Sequence, residues 1–315
     1  MKHLELKVKT WQEFKRRMEP RLKEVKFSLS RVRKSPLSLA GLFLILLFVF
    51  IAIAAPYFAP PKYLHEPYRI PRDGYSATPR PPSSAHFFGT TEGQYDIYYG
   101  VIWGTRTAFR VGFMVVGSIM IIGIILGSLS GYYGGVVDEI IMRTVDTFMS
   151  LPTLILAMAL VSALGHSLDN VMKALIIVGW PSYARLIRGD ILRVREEDYV
   201  EAARAVGCSD LTVIFKHVLP NAIYPLLVMA SLDVGAMVLT AAALSFLGLG
   251  APIGYADWGQ MISFARNWIV GPPGNPLAYW YAVTIPGLFI LFFVLGWNLL
   301  GDAFRDILDP KLRRR

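Results

Sequence analysis

Apolar residues along this chain fall in blocks of about twenty that are almost free of charge, the length a helix needs to cross roughly 30 Å of hydrocarbon. Six such windows are predicted as spans, at about 38–58, 111–131, 147–165, 171–187, 222–247 and 281–301. The fourth is the least apolar, bracketed by Lys173 and Arg185, and the fifth contains Asp233. Residues 56–82 carry eight prolines, which excludes regular helix and central strand and predicts an extended outer loop. Ahead of the first span, Trp11, Phe14, Met18, Leu22, Val25, Leu29 and Val32 recur every three or four residues among basic side chains. That spacing predicts an amphipathic helix on the inner membrane surface, or one packed on a partner or on the rest of the chain. In the second span Gly123, Gly127 and Gly131 share one helix face, a pattern that lets a neighbouring backbone approach closely.

Composition agrees with a membrane protein: 54% of the 315 residues are hydrophobic and the mean hydropathy is +0.45, too apolar for an ordinary soluble domain. The net charge of +9 does not point to nucleic acid, because residues 1–35 alone hold twelve Lys and Arg against four Glu. A basic cluster ending just before the first apolar run predicts a cytoplasmic N-terminus. Threaded from there, 24 Lys and Arg fall on the inner side and eight on the outer, with the C-terminus also inside. The first apolar run lies too far from Met1 for a signal peptide, so it is expected to stay as an anchor. Cys208 is the sole cysteine and makes no internal disulfide. The expected organisation is a basic amphipathic segment (1–36), a first transmembrane helix (37–59) and a Pro-rich extracytoplasmic loop (60–108). A five-helix core (109–302) with cytoplasmic helices at 195–219 follows, and then a basic tail (303–315).

The inner loop between the fourth and fifth spans is the informative stretch. From Arg185 to Lys216 it holds six Lys and Arg and six Asp and Glu, so something other than lipid must bind it. Two short helices are predicted. The first, about 197–206, places Glu201 and Ala205 on one face with Ala202 and Ala203 beside them, and Gly207 ends it in the left-handed region. The second is capped by Ser209 or Asp210 and broken by Pro220.

Glu201-Ala202-Ala203, then Gly207, then Leu219-Pro220, at these spacings, resembles the cytoplasmic signature of the inner-membrane permeases of binding-protein-dependent ABC importers. His217 stands where the broad signature prefers Ile, and Lys-His-Val-Leu-Pro-Asn (216–221) is similar to the version in the dipeptide, oligopeptide and nickel subfamily. Gly131-Tyr-Tyr-Gly-Gly135 with Asp138-Glu139, Leu151-Pro152, Gly179-Trp180-Pro181, Ser245 to Gly250, Trp258-Gly259 and Asn298 to Asp302 are similar to that subfamily's second, shorter permease subunit. The run from Gly89 to Asp96 keeps only part of the family's pattern.

What the resemblance implies is an all-α polytopic membrane protein with six transmembrane helices, the type I ABC importer permease fold and cytoplasmic coupling helices. Its implied role is to form half of a translocation path for peptides, with oligosaccharides or nickel complexes as alternative cargo. Glu201, Ala202, Ala203, Arg204, Gly207, Asp210, His217, Leu219 and Pro220 would contact or transmit force from the ATPase, and Asp233 and Ser245 are candidates for the path. The implied partners are a homologous second permease, two ATPase subunits and an extracytoplasmic solute-binding protein, in a lipid bilayer and without nucleic acid. No catalytic residue, metal or cofactor is expected on this chain, ATP and Mg being on the partner ATPase. Consistently, the sequence has no Gly-x-x-x-x-Gly-Lys-Ser/Thr phosphate loop, and its five histidines show no ligand spacing.

Several residues carry two readings. Asp233, an acid deep in a span, faces either solute in a path or a partner subunit. Arg106 and Arg110 snorkel to headgroups at the outer end of the second span or serve a docking site for a solute-binding protein. Trp258, Trp268, Trp280 and Tyr281 form an aromatic belt or a stacking surface for sugar rings. Two other function classes are an ion-driven secondary transporter, which would show repeats and several intramembrane ionisable groups, and a membrane-embedded enzyme with converging acids at one face.

Overall fold

A computed structural model describes residues 35–308. The amphipathic segment expected ahead of the first span and the basic end of the tail lie outside the described residues. Helix α1 (Pro36–Phe58) begins where the Ser35 hydroxyl accepts the Ser38 N–H at 3.3 Å, with proline in the first turn. Pro56, near its other end, has no N–H to give, so the carbonyl four residues back, Ala52, lacks its helical donor. Helix α2 (Ile97–Tyr133) is 37 residues long and is capped by Asp96, which accepts the Tyr99 N–H at 2.8 Å. Its start corrects the expectation of loop as far as residue 108. Residues 97–110 include Arg106 and Arg110 and read as too polar for a span, yet most of their side chains are buried in protein and not set against lipid.

The helix breaks at Gly134, φ +69°, before α3 (Gly135–Met149), and the chain then bends by 90° into α4 (Thr153–Leu164). Helix α5 (Leu168–Val194) leads to the short helices α6 (Asp198–Ala205), α7 (Asp210–Thr212) and α8 (Leu219–Ala222). The last elements are α9 (Tyr224–Phe246), α10 (Trp258–Ala265) and α11 (Trp280–Leu308). Among the described residues α1, α2, α9 and α11 are long and apolar enough to cross a membrane, and the bent pair α3–α4 is a fifth only if its two arms form one span. The six expected spans are therefore not matched one for one. Helix α5 is long enough at 27 residues, but Lys173, Arg185, Arg188, Asp190 and Arg193 keep its apolar content too low.

Small residues set the helix order. A Cβ on Gly41 of α1 would stand 2.6 Å from the Leu299 Cβ of α11, and one on Gly112 of α2 would stand 2.7 Å from Val234 of α9. Along α2, Cβ atoms on Gly123 and Gly127 would stand 2.4 Å from the Tyr183 Cβ and 2.3 Å from the Ile187 Cγ2 of α5. The glycine face predicted from sequence is thus the α2–α5 seam, where van der Waals contact and not water exclusion holds membrane helices together.

The Pro-rich loop forms no strand beyond isolated bridges, and Glu92–Gln94 make a single 3-10 turn. It is nevertheless packed as a cap: Ile70 is buried, its N–H donates to Gly254 O at 2.8 Å, and the Trp103 indole donates to Ala59 O at 2.8 Å. Helix α10 inserts between the spans. Trp258 is 3% exposed, packed by Phe48, Phe289 and Phe293 with ring centroids 5.7–6.1 Å away, and its indole donates to Val101 O at 3.1 Å. Tyr281 is likewise buried, while the Trp268 indole donates to Glu92 at 2.8 Å. Trp258 and Tyr281 therefore belong to the core and to neither the aromatic belt nor a sugar surface; only Trp280 of the four is exposed.

Asp257 caps α10, accepting the Gln260 N–H at 2.8 Å, and burial pushes its carboxyl up to about 6. A raised folded-state value means that its favourable contribution is complete below the unfolded value near pH 4 and is lost as pH rises through about 6. Asp257→Asn keeps a capping oxygen and removes the buried charge. The variant is expected to be more stable than the parent at pH 8, by up to about 3 kcal/mol, and so to melt higher, with the gap closing toward pH 4. A pH series of thermal melts checks this, and a gap that widens on acidification would refute it.

Candidate functional site

The polar elbow is built from α6, α7 and α8. Val200 and Ala203 point inward and are buried, while Glu201, Ala202, Arg204 and Ala205 are exposed on the other side. Helix α6 ends as the residue types require: the Gly207 N–H reaches Arg204 O at 2.9 Å, the Cys208 N–H reaches Ala203 O at 3.2 Å, and Gly207 sits at φ +86°. A Cβ on Gly207 would meet nothing within 4 Å, so its outer side is open. Ser209 holds the N-cap position of α7, but its hydroxyl pairs with Thr212 Oγ1 at 2.9 Å and caps no N–H.

The expected break at Pro220 is a widening instead. Residues Val213–Val218 wind in π geometry, with the Leu219 N–H reaching back to Ile214 O, and the chain stays helical through α8. The wider turn moves the carbonyl that the proline ring would strike, and side chains use the loosened backbone: Asn221 Nδ2 donates to His217 O at 2.7 Å. Val213, Ile214 and Val218 are buried, His217 and Leu219 half-buried, and Pro220 exposed. On the outer side Val206, Leu211 and Phe215 are 80%, 62% and 62% exposed, an apolar patch amid Glu201, Arg204 and Lys216.

Residues that sequence reasoning did not single out tie this elbow to the long helix. The Tyr132 hydroxyl, at the inner end of α2, donates to Asp210 Oδ1 at 2.8 Å, and the Arg204 guanidinium lies 5.1 Å over the same ring. Arg195 Nη1 donates to Gly131 O at 2.8 Å and Tyr132 O at 3.3 Å, satisfying carbonyls that the end of α2 leaves open. Beside them Arg188 grips Asp138 with two hydrogen bonds of 2.5 and 2.6 Å, and Ser130 donates to the same carboxylate. Arg185 pairs with Asp146. These ion pairs join α3 to α5, and the Ser130 and Arg195 hydrogen bonds tie α2 to them at the elbow's root. The only sequence signal for Tyr132 and Asp138 was their place in the Gly131-Tyr-Tyr-Gly-Gly135…Asp138 run.

The two path candidates are placed apart. Asp233 of α9 is half-buried and accepts a hydrogen bond from the Tyr183 hydroxyl of α5 at 2.8 Å, a partner within the chain. Ser245 is 2% exposed, enclosed where the chain turns back at Gly250, and faces no open path in this structure.

Residues 123–314 match the family described as binding-protein-dependent transport system inner membrane component, and residues 27–77 match the N-terminal TM domain of oligopeptide transport permease C. The chain is 42% identical over 280 residues to the probable D,D-dipeptide transport system permease protein DdpC of Escherichia coli K12, covering 89% of each. It is 38% identical over 283 residues to the dipeptide transport system permease protein DppC of Alkalihalophilus pseudofirmus, covering 90% of this chain and 88% of that protein. Among solved structures, a chain of the inward-facing MetNI methionine ABC transporter superposes with a TM-score of 0.52 at 18% identity, over 66% of this chain and 96% of that one, a likeness of fold.

Proposed function

The chain belongs to the family of inner-membrane components of binding-protein-dependent transport systems, and on that premise we propose that it forms half of the translocation path for peptides and is driven by ATP hydrolysed on a separate chain. It is a multi-pass transport subunit with the type I importer permease fold and no enzyme. The ion-driven and enzymatic readings fall with that membership. Peptide cargo is supported by the relatives named for dipeptide and D,D-dipeptide transport; oligosaccharide and nickel complexes have no such support among them.

The working assembly is this chain, a homologous permease, two ATPase subunits and an extracytoplasmic solute-binding protein, with ATP and Mg held by the ATPase. A cytoplasmic position for both termini and the elbow is supported by the 24 inner against eight outer Lys and Arg. One observation carries the coupling role: a polar helix pair presents exposed Val206, Leu211 and Phe215 outward and is clamped to α2 at its root. Apolar residues ringed by charge are what a transient protein interface needs.

Deleting residues 201–207 is expected to abolish uptake of labelled dipeptide and to release the ATPase from membranes. Gly207→Asn separates conformation from contact, because Asn tolerates the left-handed region and adds bulk only on the open face. It is expected to leave thermal stability near the parent's and to lower ATPase binding. Uptake that persists after the deletion with the ATPase still bound would sink the coupling role.

A further inference from the structure

One cation near the loop end of α1 has no carboxylate partner among the described residues. Arg106 Nε donates to Ala52 O at 2.6 Å, taking up the carbonyl that Pro56 leaves without a helical donor, and its guanidinium lies 5.1 Å over the Trp103 ring. Among the described residues no carboxylate pairs with it, whereas Arg110, one turn on, is bound to Asp169 at 2.7 Å. The structural work uses one nitrogen and leaves the two terminal nitrogens as donors. Arg106 lines a groove of about 380 Å³ between α1 and α2, walled by Val49, Ile53, Phe109 and Phe113.

The groove adjoins an exposed apolar stripe of α1. Leu39, Phe43, Leu46, Phe50, Ile53 and Tyr57 are exposed at helical spacing along α1, and Phe113 is 54% exposed beside them. Helix–helix contacts in membranes favour small residues that let backbones approach, and this stripe is made of large ones. Hydrocarbon is the occupant it suits. Ala52 lies about two turns below the end of α1 that meets the Pro-rich loop, within snorkelling reach of headgroup phosphates on that face.

We propose that this groove is a binding site for an anionic phospholipid. The phosphate sits on the terminal nitrogens of Arg106 and an acyl chain lies along Val49, Ile53, Phe109 and Phe113. A phosphate matches the planar fork of a guanidinium, and the apolar wall excludes the water that would otherwise compete.

The test uses the chain purified with its co-expressed partner chains, titrated with dioleoyl phosphatidylglycerol and followed by native mass spectrometry. Dioleoylglycerol, which has the same chains and no phosphate, and inorganic phosphate serve as probes of the two halves of the site. Arg106→Gln is expected to weaken phosphatidylglycerol binding about ten-fold or more. Ile53→Trp fills the groove while leaving the Arg106–Ala52 bond in place, so it is expected to weaken binding similarly even if the arginine variant fails to fold. Phosphatidylglycerol binding equal to the parent's in Ile53→Trp, or dioleoylglycerol binding as tightly as phosphatidylglycerol, would overturn the proposal. So would displacement of the lipid by inorganic phosphate alone, or capture of a partner helix in place of lipid by a cross-linker at Ile53→Cys.

Discussion

Leucine in place of Gly127 is expected to cut the yield of folded protein sharply. The Cβ alone would stand 2.3 Å from the Ile187 Cγ2 and 2.4 Å from the Ala184 carbonyl oxygen, and the second contact is backbone that no rotamer change relieves. The helices α2 and α5 would have to part, loosening the contacts at Gly123 and Gly131 and the Arg188–Asp138 pair below them. Overpacking of this kind costs about 3 kcal/mol or more against a total stability of only about 5–15 kcal/mol. Yield and monodispersity after detergent extraction are the measurements. Gly117→Leu is the control, because a Cβ there meets nothing within 4 Å, and it is expected to purify like the parent. Equal behaviour of the two variants would show that the seam does not hold the bundle.

The second large effect is expected at Tyr132, where stability and transport should separate. Tyr132→Ala removes the hydrogen bond to Asp210 and the ring under Arg204, two links worth together about 2–4 kcal/mol. Both lie at the junction between elbow and long helix, so uptake in reconstituted vesicles should fall at least about ten-fold while the ATPase stays bound and continues to hydrolyse ATP. Tyr132→Phe keeps the ring and should give an intermediate loss. If uptake and hydrolysis fell in proportion, the link would be a binding determinant for the ATPase and the transmitting role would be wrong.

The spans could be read from the sequence wherever lipid is the solvent, since a charge-free run of twenty apolar residues is costly to hold anywhere but in hydrocarbon. Reading failed where protein replaces lipid. The first turns of α2 carry Arg106 and Arg110 because the Pro56-freed carbonyl and Asp169 of α5 receive them, and α5 carries Arg185 and Arg188 because Asp146 and Asp138 meet them. Neither partner is visible in a local window. Gly207 was readable as a break because its conformation is set locally, and the small-residue face of α2 because its spacing is helical. Tyr132, Arg195 and Trp258 were not, since what defines them is contact with residues far along the chain. Pro220 misled for the opposite reason: a strong local rule was accommodated by a π turn upstream.

Helix α2 runs 37 residues without a proline, about 55 Å from end to end, which is nearly twice the hydrocarbon thickness. One tip is fastened into the Pro-rich cap, where Asp96 pairs with the His86 ring at 2.6 Å, and the other by Tyr132 to the elbow. Such an element behaves as a lever: a tilt of about 10° around its midpoint carries the two tips about 5 Å in opposite directions. A tug on the elbow would therefore arrive at the Pro-rich cap without any relay of side-chain rearrangements.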